Sequence, residues 1–265
     1  QRSRGLGDVY KRQGFIGTGH ITKSVIHGIL GSKLKIRRII VSKRNNKISS
    51  SLKRKSKKIL VLNNNQEIIN NSNWIFLSVT PEVGHKILPE LKFKKNQTII
   101  SFISTIKMKD LKKYTKMKSK IFRAIPLPPI SIRKGPIPLY PPNKSVKKFF
   151  DHLGTTVEIE NENLSLNFWS TSSMMAPFYE LLNTLSLWLY QKGINKSDAQ
   201  KYITSLFIAL SEDAKINSKN DLKLLVQNSQ TPKGLNEQAV NELRKSGFYK
   251  SLNKTTNSIL KRLKK

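Results

Sequence analysis

The sequence predicts an α/β domain of the Rossmann type, with a doubly wound sheet, followed by an all-α, dimerising domain. Short apolar runs rich in β-branched residues alternate with amphipathic stretches up to about residue 160. Such alternation is typical of a parallel sheet covered by helices on both faces. A glycine cluster at residues 14–19 separates the first apolar run from the first amphipathic stretch. From residue 161 onward the apolar periodicity is helical.

Five apolar runs in the first domain predict buried strands. They are residues 15–16, 38–42, 74–79, 98–103 and 121–125, and residues 156–159 add a further strand. Residues 20–30 carry apolar side chains at helical spacing, which predicts an amphipathic helix after the first strand. Residues 126–142 contain seven of the eleven prolines, so we expect loop or edge structure there.

The first thirteen residues differ in character from the rest of the chain. They contain neither the apolar core of a signal peptide nor the apolar run of a buried strand. We therefore expect residues 1–13 to be a non-native or artefactual extension, with a first strand that is partly missing or improvised from Val9 and Tyr10. The predicted domains are then residues 14–160, which bind the dinucleotide, and residues 161–265, which bind substrate and dimerise.

Two helices of the second domain have recognisable start signals. Ser197 and Gln200 have the spacing of a capping box, which predicts that a helix begins at Ser197. Thr231 followed by Pro232 predicts the start of another helix, which would stop at Gly247.

The composition limits the classes of function. The net charge of +33 suggests nucleic acid as a partner. However, the lysines are spread along the chain, and the dense runs at residues 53–58 and 261–265 are not interleaved with aromatic side chains. Solvated basic faces, with no specific nucleic acid, are therefore the favoured interpretation.

Other classes are excluded more directly. The absence of cysteine rules out disulfides and thiol nucleophiles, and the four isolated histidines predict no metal site. No apolar run reaches the roughly 18 residues of a membrane span. We expect a cytoplasmic protein without a membrane partner.

The glycine cluster carries the clearest chemistry. Gly17 and Gly19 match the first two positions of G-x-G-x-x-G/A, with Thr22 at the third. The first glycine permits a tight turn, and the second lets the backbone approach a pyrophosphate at the following helix N-terminus. An ordinary glycine turn would look similar, but the strand before it and the helix after it favour dinucleotide binding.

The end of the second strand indicates which dinucleotide is bound. Ser42, Lys43 and Arg44 stand there, with no Asp or Glu to hold the ribose hydroxyls of NAD. A hydroxyl and two cations suit a 2′-phosphate. NADP, in its reduced form NADPH, is therefore the expected cofactor, and NAD stays possible because both cations could belong to the general lysine excess.

Several segments resemble the pyrroline-5-carboxylate reductase family. Residues 14–22 resemble its G-x-x-G-x-G-x-M-A loop, and residues 42–44 its Ser-Asn-Arg segment. Residues 76–81 are similar to F-L-A-V-K-P, and residues 123–129 to R-V-M-P-N-T-P. The cofactor contacts that this resemblance and the glycine loop together imply are Gly14, Gly17, Thr18, Gly19, His20, Ile21, Ser42, Lys43, Arg44, Val79, Thr80, Pro81, Ser104 and Thr105.

The resemblance continues into the helical domain with more substitutions. The G-S-G-P-A-Y segment falls on residues 172–177 and keeps Ser173, whereas S-P-G-G-[TA]-T falls on residues 231–236. Thr231, Pro232 and Gly234 keep the motif's pattern of a cap, a first-turn proline and a close-approach glycine. Asn236 stands where the family has a threonine that contacts the substrate. The resemblance implies that Ser173, Thr231, Gly234 and Asn236 act on the substrate.

The leading hypothesis is therefore an NADPH-dependent reductase that converts a cyclic imine, 1-pyrroline-5-carboxylate, to L-proline in proline biosynthesis. Because a protonated imine is already electrophilic, positioning it supplies much of the catalysis, which agrees with the absence of a catalytic triad or carboxylate pair. The alternative is a non-catalytic or altered-substrate NAD(P)-binding protein of the same fold. A nucleic-acid binder is a third possibility. We expect a homodimer or higher homo-oligomer.

Overall fold

The computed structural model describes residues 9–116, 119–217, 219 and 221–264, with side chains from residue 12 onward. Residues 1–8 of the expected N-terminal extension lie outside the described residues. The chain divides into two compact units, Gln1–Trp169 and Ser170–Lys265. The sequence places the domain boundary earlier, at residues 160–161. The division falls after Trp169 because Glu162 and Trp169 both contact Arg123 of the first unit.

The first unit is built on one eight-stranded sheet. Its strands are β1 (Val9–Ile16), β2 (Lys35–Ser42), β3 (Ile59–Leu62), β4 (Trp74–Leu77), β5 (Thr98–Ser101), β6 (Lys120–Ala124), β7 (Pro136–Tyr140) and β8 (Thr155–Glu158). The order across the sheet is β3-β2-β1-β4-β5-β6-β7-β8. The first six strands are mutually parallel, β7 runs antiparallel to β6, and β8 is parallel to β7. The predicted doubly wound Rossmann sheet is confirmed.

Helices cover both faces of this sheet. They are α1 (His20–Leu30), α2 (Asn46–Lys55), α3 (Asn65–Asn70), α4 (Pro81–Ile87), α5 (Met108–Tyr114), α6 (Lys144–Asp151) and α7 (Ser165–Ser172), which crosses into the second unit. Successive residues of β1 point to opposite faces. Phe15 packs with Val25 and Phe149 in one core, whereas Ile16 packs with Ile68 and Leu111 in the other.

Residues 9–13 of the expected extension form the first part of β1, the strand between β2 and β4. Gln13 is fully buried there, in register with Ile39 and Trp74. Neither its side-chain oxygen nor its nitrogen has a hydrogen-bond partner among the described residues. An unpaired amide in a sheet core costs stability, so Gln13 is poorly suited to its position in β1.

Two strands, β3 and β7, were not predicted from the sequence. β3 lies in a short apolar run directly after the basic residues 53–58. β7 lies in the proline-rich stretch, where loop or edge structure was expected, yet it is an internal strand between β6 and β8. The carbonyls of Gly135 and Leu139 accept hydrogen bonds from the β8 side. Because successive residues of a strand face opposite neighbours, the backbone groups of Pro136 and Pro138 face β6. β6 and β7 pair at only two positions, so the absence of proline N–H groups costs few hydrogen bonds.

The second unit contains the remaining helices. They are α8 (Met175–Gln191), α9 (Lys196–Ile216), α10 (Leu222–Asn228), α11 (Leu235–Lys245) and α12 (Phe248–Lys264). The predicted all-α region is confirmed. The predicted start of α9 at Ser197 is wrong, because the helix begins one residue earlier and Asn195 caps it by accepting from the Asp198 amide at 2.9 Å.

Many large apolar side chains of the second unit are exposed. On α9, Ala199 and Ile203 are buried, whereas Tyr202, Leu206 and Leu210 are 62%, 38% and 55% exposed. These three lie four residues apart and form one stripe along the helix. Within the described part of the chain, no helix is both long enough and apolar enough to cross a membrane.

Candidate functional site

A cleft of about 480 Å³ opens where the strand order of the first unit reverses. Its lining comes from the loops that follow β1, β2 and β4. In open α/β sheets, ligands bind outside the carboxyl ends of the strands at such a reversal. The lining residues are Gly17, Thr18, Gly19, Arg44, Asn45, Asn46, Ser78, Val79, Thr80 and Val83.

The turn between β1 and α1 requires glycine at position 17. Gly17 has a φ of +97°, which L side chains rarely adopt. A Cβ atom there would also lie 2.3 Å from the Ser78 carbonyl oxygen. Gly17 therefore lets the first turn sit directly against the end of β4 and closes the floor of the cleft.

Gly19 is different, because the protein itself does not need a glycine there. Its φ of −94° and ψ of −169° are open to any residue, and a Cβ atom would meet no protein atom within 4 Å. The space beside it opens into the cleft, at the N-terminus of α1. A backbone kept bare on an open side is what a closely approaching pyrophosphate requires.

Buried hydroxyls fix the shape of this turn. Thr22 is fully buried, and its Oγ1 donates to the Gly17 carbonyl at 2.8 Å and lies 2.8 Å from the Ser78 hydroxyl. Thr18 Oγ1 lies 2.7 Å from the carbonyl oxygen of Ser42 and 2.9 Å from its hydroxyl. Thr22 therefore ties α1 to both sides of the turn.

The loop after β2 forms the basic side of the cleft. Lys43, Arg44, Asn45 and Asn46 are exposed, whereas Ser42 is buried and its hydroxyl is engaged by Thr18. Asn45 caps α2 by accepting from the Ile48 amide at 3.1 Å. None of the described lining residues is acidic. A charged guanidinium with two amides at this position suits a phosphate better than a pair of ribose hydroxyls.

Some of the predicted cofactor residues line the cleft and others do not. Those that line it are Gly17, Thr18, Gly19, Arg44, Val79 and Thr80. Gly14 is buried in β1, where a Cβ would lie 2.3 Å from Ser72 Oγ, so its glycine serves the packing of the segment after α3. His20 is exposed at the start of α1, Ile21 is half-buried, and Pro81 is the first residue of α4.

Four lining residues were missed from the sequence: Asn45, Asn46, Ser78 and Val83. Asn45 could have been found as a helix cap one residue after Arg44, because caps of this type follow strands in such folds. Ser78 and Val83 flank the predicted Val79–Pro81 segment, and only the turn of the chain from β4 into α4 brings them to the cleft.

The predicted Ser104 and Thr105 lie in the loop between β5 and α5. Thr105 is exposed, and the Ser104 carbonyl accepts a hydrogen bond from Arg123 at 2.5 Å. Arg123 is buried, forms an ion pair with Glu162 and lies over the Trp169 ring at 4.7 Å. Burial lowers the pKa of the Arg123 guanidinium, and the Glu162 carboxylate opposes that shift. Sequence patterns offered no role for Arg123.

Three of the predicted substrate residues meet in one turn of the second unit. The predicted helix start at Thr231–Pro232 is wrong: the Gly234 amide donates to the Thr231 carbonyl at 2.8 Å, and α11 begins only at Leu235. Lys233, where the resemblance places a glycine, has a φ of +60°. A proline followed by a residue of positive φ makes a type II turn.

Two polar groups at this turn already have partners. Asn236 Nδ2 donates to the Ser229 carbonyl at 2.8 Å, and the Lys233 amide donates to Glu237 Oε2 at 2.6 Å. A carboxylate therefore stands beside the start of α11. Ser173, the fourth predicted substrate residue, lies in a separate turn between α7 and α8 and donates to the Ser170 carbonyl.

Comparisons with known proteins agree with this architecture. Residues 12–105 match the family described as "NADP oxidoreductase coenzyme F420-dependent", and residues 166–265 match "Pyrroline-5-carboxylate reductase dimerisation". The chain is 20% identical over 251 residues to pyrroline-5-carboxylate reductase 2 of Bacillus subtilis, a match that covers 91% of this chain and 90% of that protein.

Solved structures share the fold. The 1-pyrroline-5-carboxylate reductase of Streptococcus pyogenes superposes with a TM-score of 0.81 at 20% identity, over 97% of this chain and 98% of that one. The Plasmodium falciparum pyrroline carboxylate reductase with NADP bound gives a TM-score of 0.79 at 18% identity, over 96% and 97% of the two chains. The chain therefore combines a Rossmann cleft with a second unit that matches the pyrroline-5-carboxylate reductase dimerisation model, and it shares the fold of the solved pyrroline-5-carboxylate reductases.

Proposed function

We propose that this chain is an NADPH-dependent oxidoreductase that reduces the C=N bond of a cyclic imine, 1-pyrroline-5-carboxylate, to give L-proline in proline biosynthesis. The observation that carries the proposal is the open space beside Gly19 at the N-terminus of α1. The polypeptide fold gives no packing reason for a glycine there. A dinucleotide pyrophosphate gives one.

NADPH is the proposed cofactor in preference to NADH. Arg44, Asn45 and Asn46 line the side of the cleft next to β2, where the adenosine ribose would lie. Ser42 and Lys43 adjoin them, with Ser42 orienting the loop through its hydrogen bonds to Thr18. The structure of the Plasmodium falciparum relative contains NADP. NADH binding stays an alternative that a titration resolves.

The residues proposed to hold the dinucleotide divide by position. Gly17, Thr18, Gly19, His20 and Ile21 supply the turn and helix start for the pyrophosphate. Val79, Thr80 and Pro81 follow β4 on the other side of β1, where the nicotinamide half would extend. Gly14 acts indirectly, by packing the strand that carries the turn.

When bound, NADPH would supply a hydride to the carbon of the protonated imine, and the proton already on the nitrogen would leave the neutral amine. The protein's part is positioning, because a protonated imine needs little further activation. We assign the substrate to Ser173 and to the turn that holds Thr231, Gly234 and Asn236. Asn236 has an Oδ1 acceptor beyond the amide that it uses for Ser229.

One observation favours a related alternative with a different substrate. Glu237 occupies the Lys233 amide and places negative charge beside the start of α11. A substrate carboxylate received at this helix start would be repelled by it. An imine without that carboxylate would not be. The same family fold would then serve as an imine reductase of altered specificity.

The proposed homo-oligomer rests on the second unit. Its α9 stripe of Tyr202, Leu206 and Leu210 is exposed, and the matching family is described as a dimerisation family. Apolar surface of this extent usually marks an association site. A second copy of this chain is the partner that we propose.

The experiment is a comparison of two imines with the purified chain. Oxidation of NADPH is followed by absorbance with 1-pyrroline-5-carboxylate and with 1-pyrroline, which lacks the carboxylate. Turnover of the first confirms the main proposal, and preferential turnover of the second supports altered specificity. NADPH binding without turnover of either imine would contradict both and leave a non-catalytic dinucleotide-binding protein.

The variant Glu237→Gln sharpens this comparison. It keeps an acceptor for the Lys233 amide but removes the charge. We expect the KM for 1-pyrroline-5-carboxylate to fall several-fold and the KM for 1-pyrroline to stay unchanged. An equal change for both imines would show that Glu237 does not face the carboxylate.

A further inference from the structure

The loop between β5 and α5 is held at both ends by one ion pair. Arg123 Nη2 donates to the Ser104 carbonyl at 2.5 Å, and Arg123 Nη1 donates to Glu162 Oε1. The same Glu162 oxygen accepts the backbone N–H of Met108, the first residue of α5, at 2.7 Å. The loop from Ser104 to Met108 is therefore anchored at its two ends by connected side chains.

This anchor is buried and reinforced. The Arg123 side chain is 4% exposed, and its guanidinium lies over the ring of Trp169, which is 8% exposed. Glu162 and Trp169 come from the segment after β8, far along the chain from β6. A planar guanidinium can bond two acceptors and stack at once, which an ammonium cannot do.

Few other hydrogen bonds hold this loop, although Ile103 and Ile106 beside and within it are buried in the core. The residue before α5, Lys107, makes no side-chain capping bond, so the Glu162 carboxylate takes that role from a distance. Near the other end, the Ser101 hydroxyl accepts from the Ile103 amide, which orders only the first residues after β5. Ile103 and Ile106 fix the apolar side of the loop, and Arg123 and Glu162 supply its polar anchors at Ser104 and Met108.

The position of the loop gives these polar anchors a consequence. β5 lies next to β4, on the side of β1 opposite to β2. A dinucleotide that places its adenosine at the β2 side extends its nicotinamide across β4 toward β5. The loop after β5 is thus at the reactive end of the cofactor, and residues 44–46 are at the other end.

We propose that Arg123 and Glu162 are positioning residues, which hold the Ser104–Thr105 loop in the conformation that receives the nicotinamide half of the cofactor. This proposal rests on the proposed function and adds a division of labour to it. The β1 turn and the β2 loop bind the phosphorylated adenosine half without help from the pair. The pair governs only the affinity that the nicotinamide half adds.

The test separates the two halves of the cofactor. Binding of NADPH and of 2′,5′-ADP, which lacks the nicotinamide half, is measured by calorimetry for the wild type, Glu162→Gln and Arg123→Met. We expect both variants to bind 2′,5′-ADP with unchanged affinity and to bind NADPH about tenfold more weakly. Glu162→Gln retains an acceptor for the Met108 amide, so it is the milder variant.

A matched control is available in the same unit. Lys147 and Asp151 form an exposed ion pair on α6, at 2.6 Å, and Asp151→Asn removes a carboxylate as Glu162→Gln does. This control should bind both ligands as the wild type does. Unfolding temperatures of all four proteins are recorded alongside.

The outcomes are distinguishable. Unchanged NADPH affinity in both variants overturns the inference and leaves the proposed function intact. An equal loss for NADPH and 2′,5′-ADP, or loss of the folded state in Glu162→Gln, assigns the pair to stability alone and also overturns the inference. If the wild type binds neither ligand, the proposed function fails, and the inference fails with it.

Discussion

The two units of the chain treat their apolar residues in opposite ways. In the first unit, the strands and covering helices bury Phe15, Phe76 and Phe149 completely. In the second, Trp188 on α8 and Tyr202 on α9 are more than half exposed. A sheet covered on both faces buries its apolar side chains within one chain. These helices instead leave an apolar surface exposed, which association would cover.

The two parts of the proposed function, cofactor binding and substrate binding, fall in different units of the chain. The proposed cofactor cleft is shaped by hydrogen bonds among Thr18, Thr22, Ser42 and Ser78, all in the first unit, so a single chain can form it. The proposed substrate residues belong to the second unit, whose exposed apolar face suggests a partner. We therefore expect changes to the second unit to act through association, and changes to the first unit to act directly on cofactor binding.

The largest effect is expected from breaking the second unit's apolar stripe. Leu210→Glu places a charge on a surface that association would bury, which costs several kcal/mol at an interface. We expect the oligomer to dissociate to monomers in analytical ultracentrifugation, while 2′,5′-ADP still binds. Gln200→Glu introduces the same side chain at an exposed polar position of α9 and should leave the assembly intact. A Leu210→Glu protein with the assembly of the wild type would mean that this stripe is not the interface.

A smaller effect sharpens the role of the first unit in cofactor choice. Arg44→Ala removes the only lining guanidinium among the described residues of the cleft. Since a charge-assisted phosphate contact contributes roughly 1.5–3 kcal/mol, NADPH affinity should fall about ten- to hundredfold while NADH affinity stays constant. Lys47→Ala, on α2 but outside the lining, is the control. Equal losses for the two cofactors would argue against a 2′-phosphate contact.

The smallest expected effect concerns Gln13, a poorly satisfied core position of the central strand. Gln13→Leu replaces a buried amide without partners by an apolar side chain of similar size, so we expect the free energy of unfolding to rise by about 1–2 kcal/mol.

Gln97→Leu is the matched control, because the Gln97 amide donates to the Ile69 and Ser72 carbonyls and its oxygen accepts from Lys94. That change should destabilise the protein in the same urea titration. If Gln13→Leu were also destabilising, the Gln13 amide would have a favourable interaction that its surroundings in β1 do not reveal.

Periodicity and the glycine cluster were sufficient for the type of fold. Buried strands such as β4 and β5 are short apolar runs, which local pattern identifies well. β7 was not identifiable, because whether Pro136 and Pro138 fit depends on which neighbour their backbone faces, and this is a property of the sheet. The starts of α9 and α11 were misplaced because the competing caps Asn195 and Gly234 stand close to plausible ones.

The candidate site was predictable in part for a similar reason. Gly17, Gly19 and Arg44 lie next to strand ends and could be placed from the chain order alone. Asn46 and Val83 reach the cleft only because α2 and α4 begin there. The Arg123–Glu162 pair joins residues 39 positions apart and has no local signature.

The most direct test of the central claim is a titration of Gly19→Val with NADPH. A Cβ atom at this position meets no protein atom within 4 Å outside its two chain neighbours, so we expect the unfolding free energy to change by no more than about 1 kcal/mol. If the open space beside Gly19 receives the pyrophosphate, NADPH affinity should fall at least about a hundredfold, because the side chain blocks the approach to the α1 amides. A folded Gly19→Val protein that binds NADPH as tightly as the wild type would contradict the account.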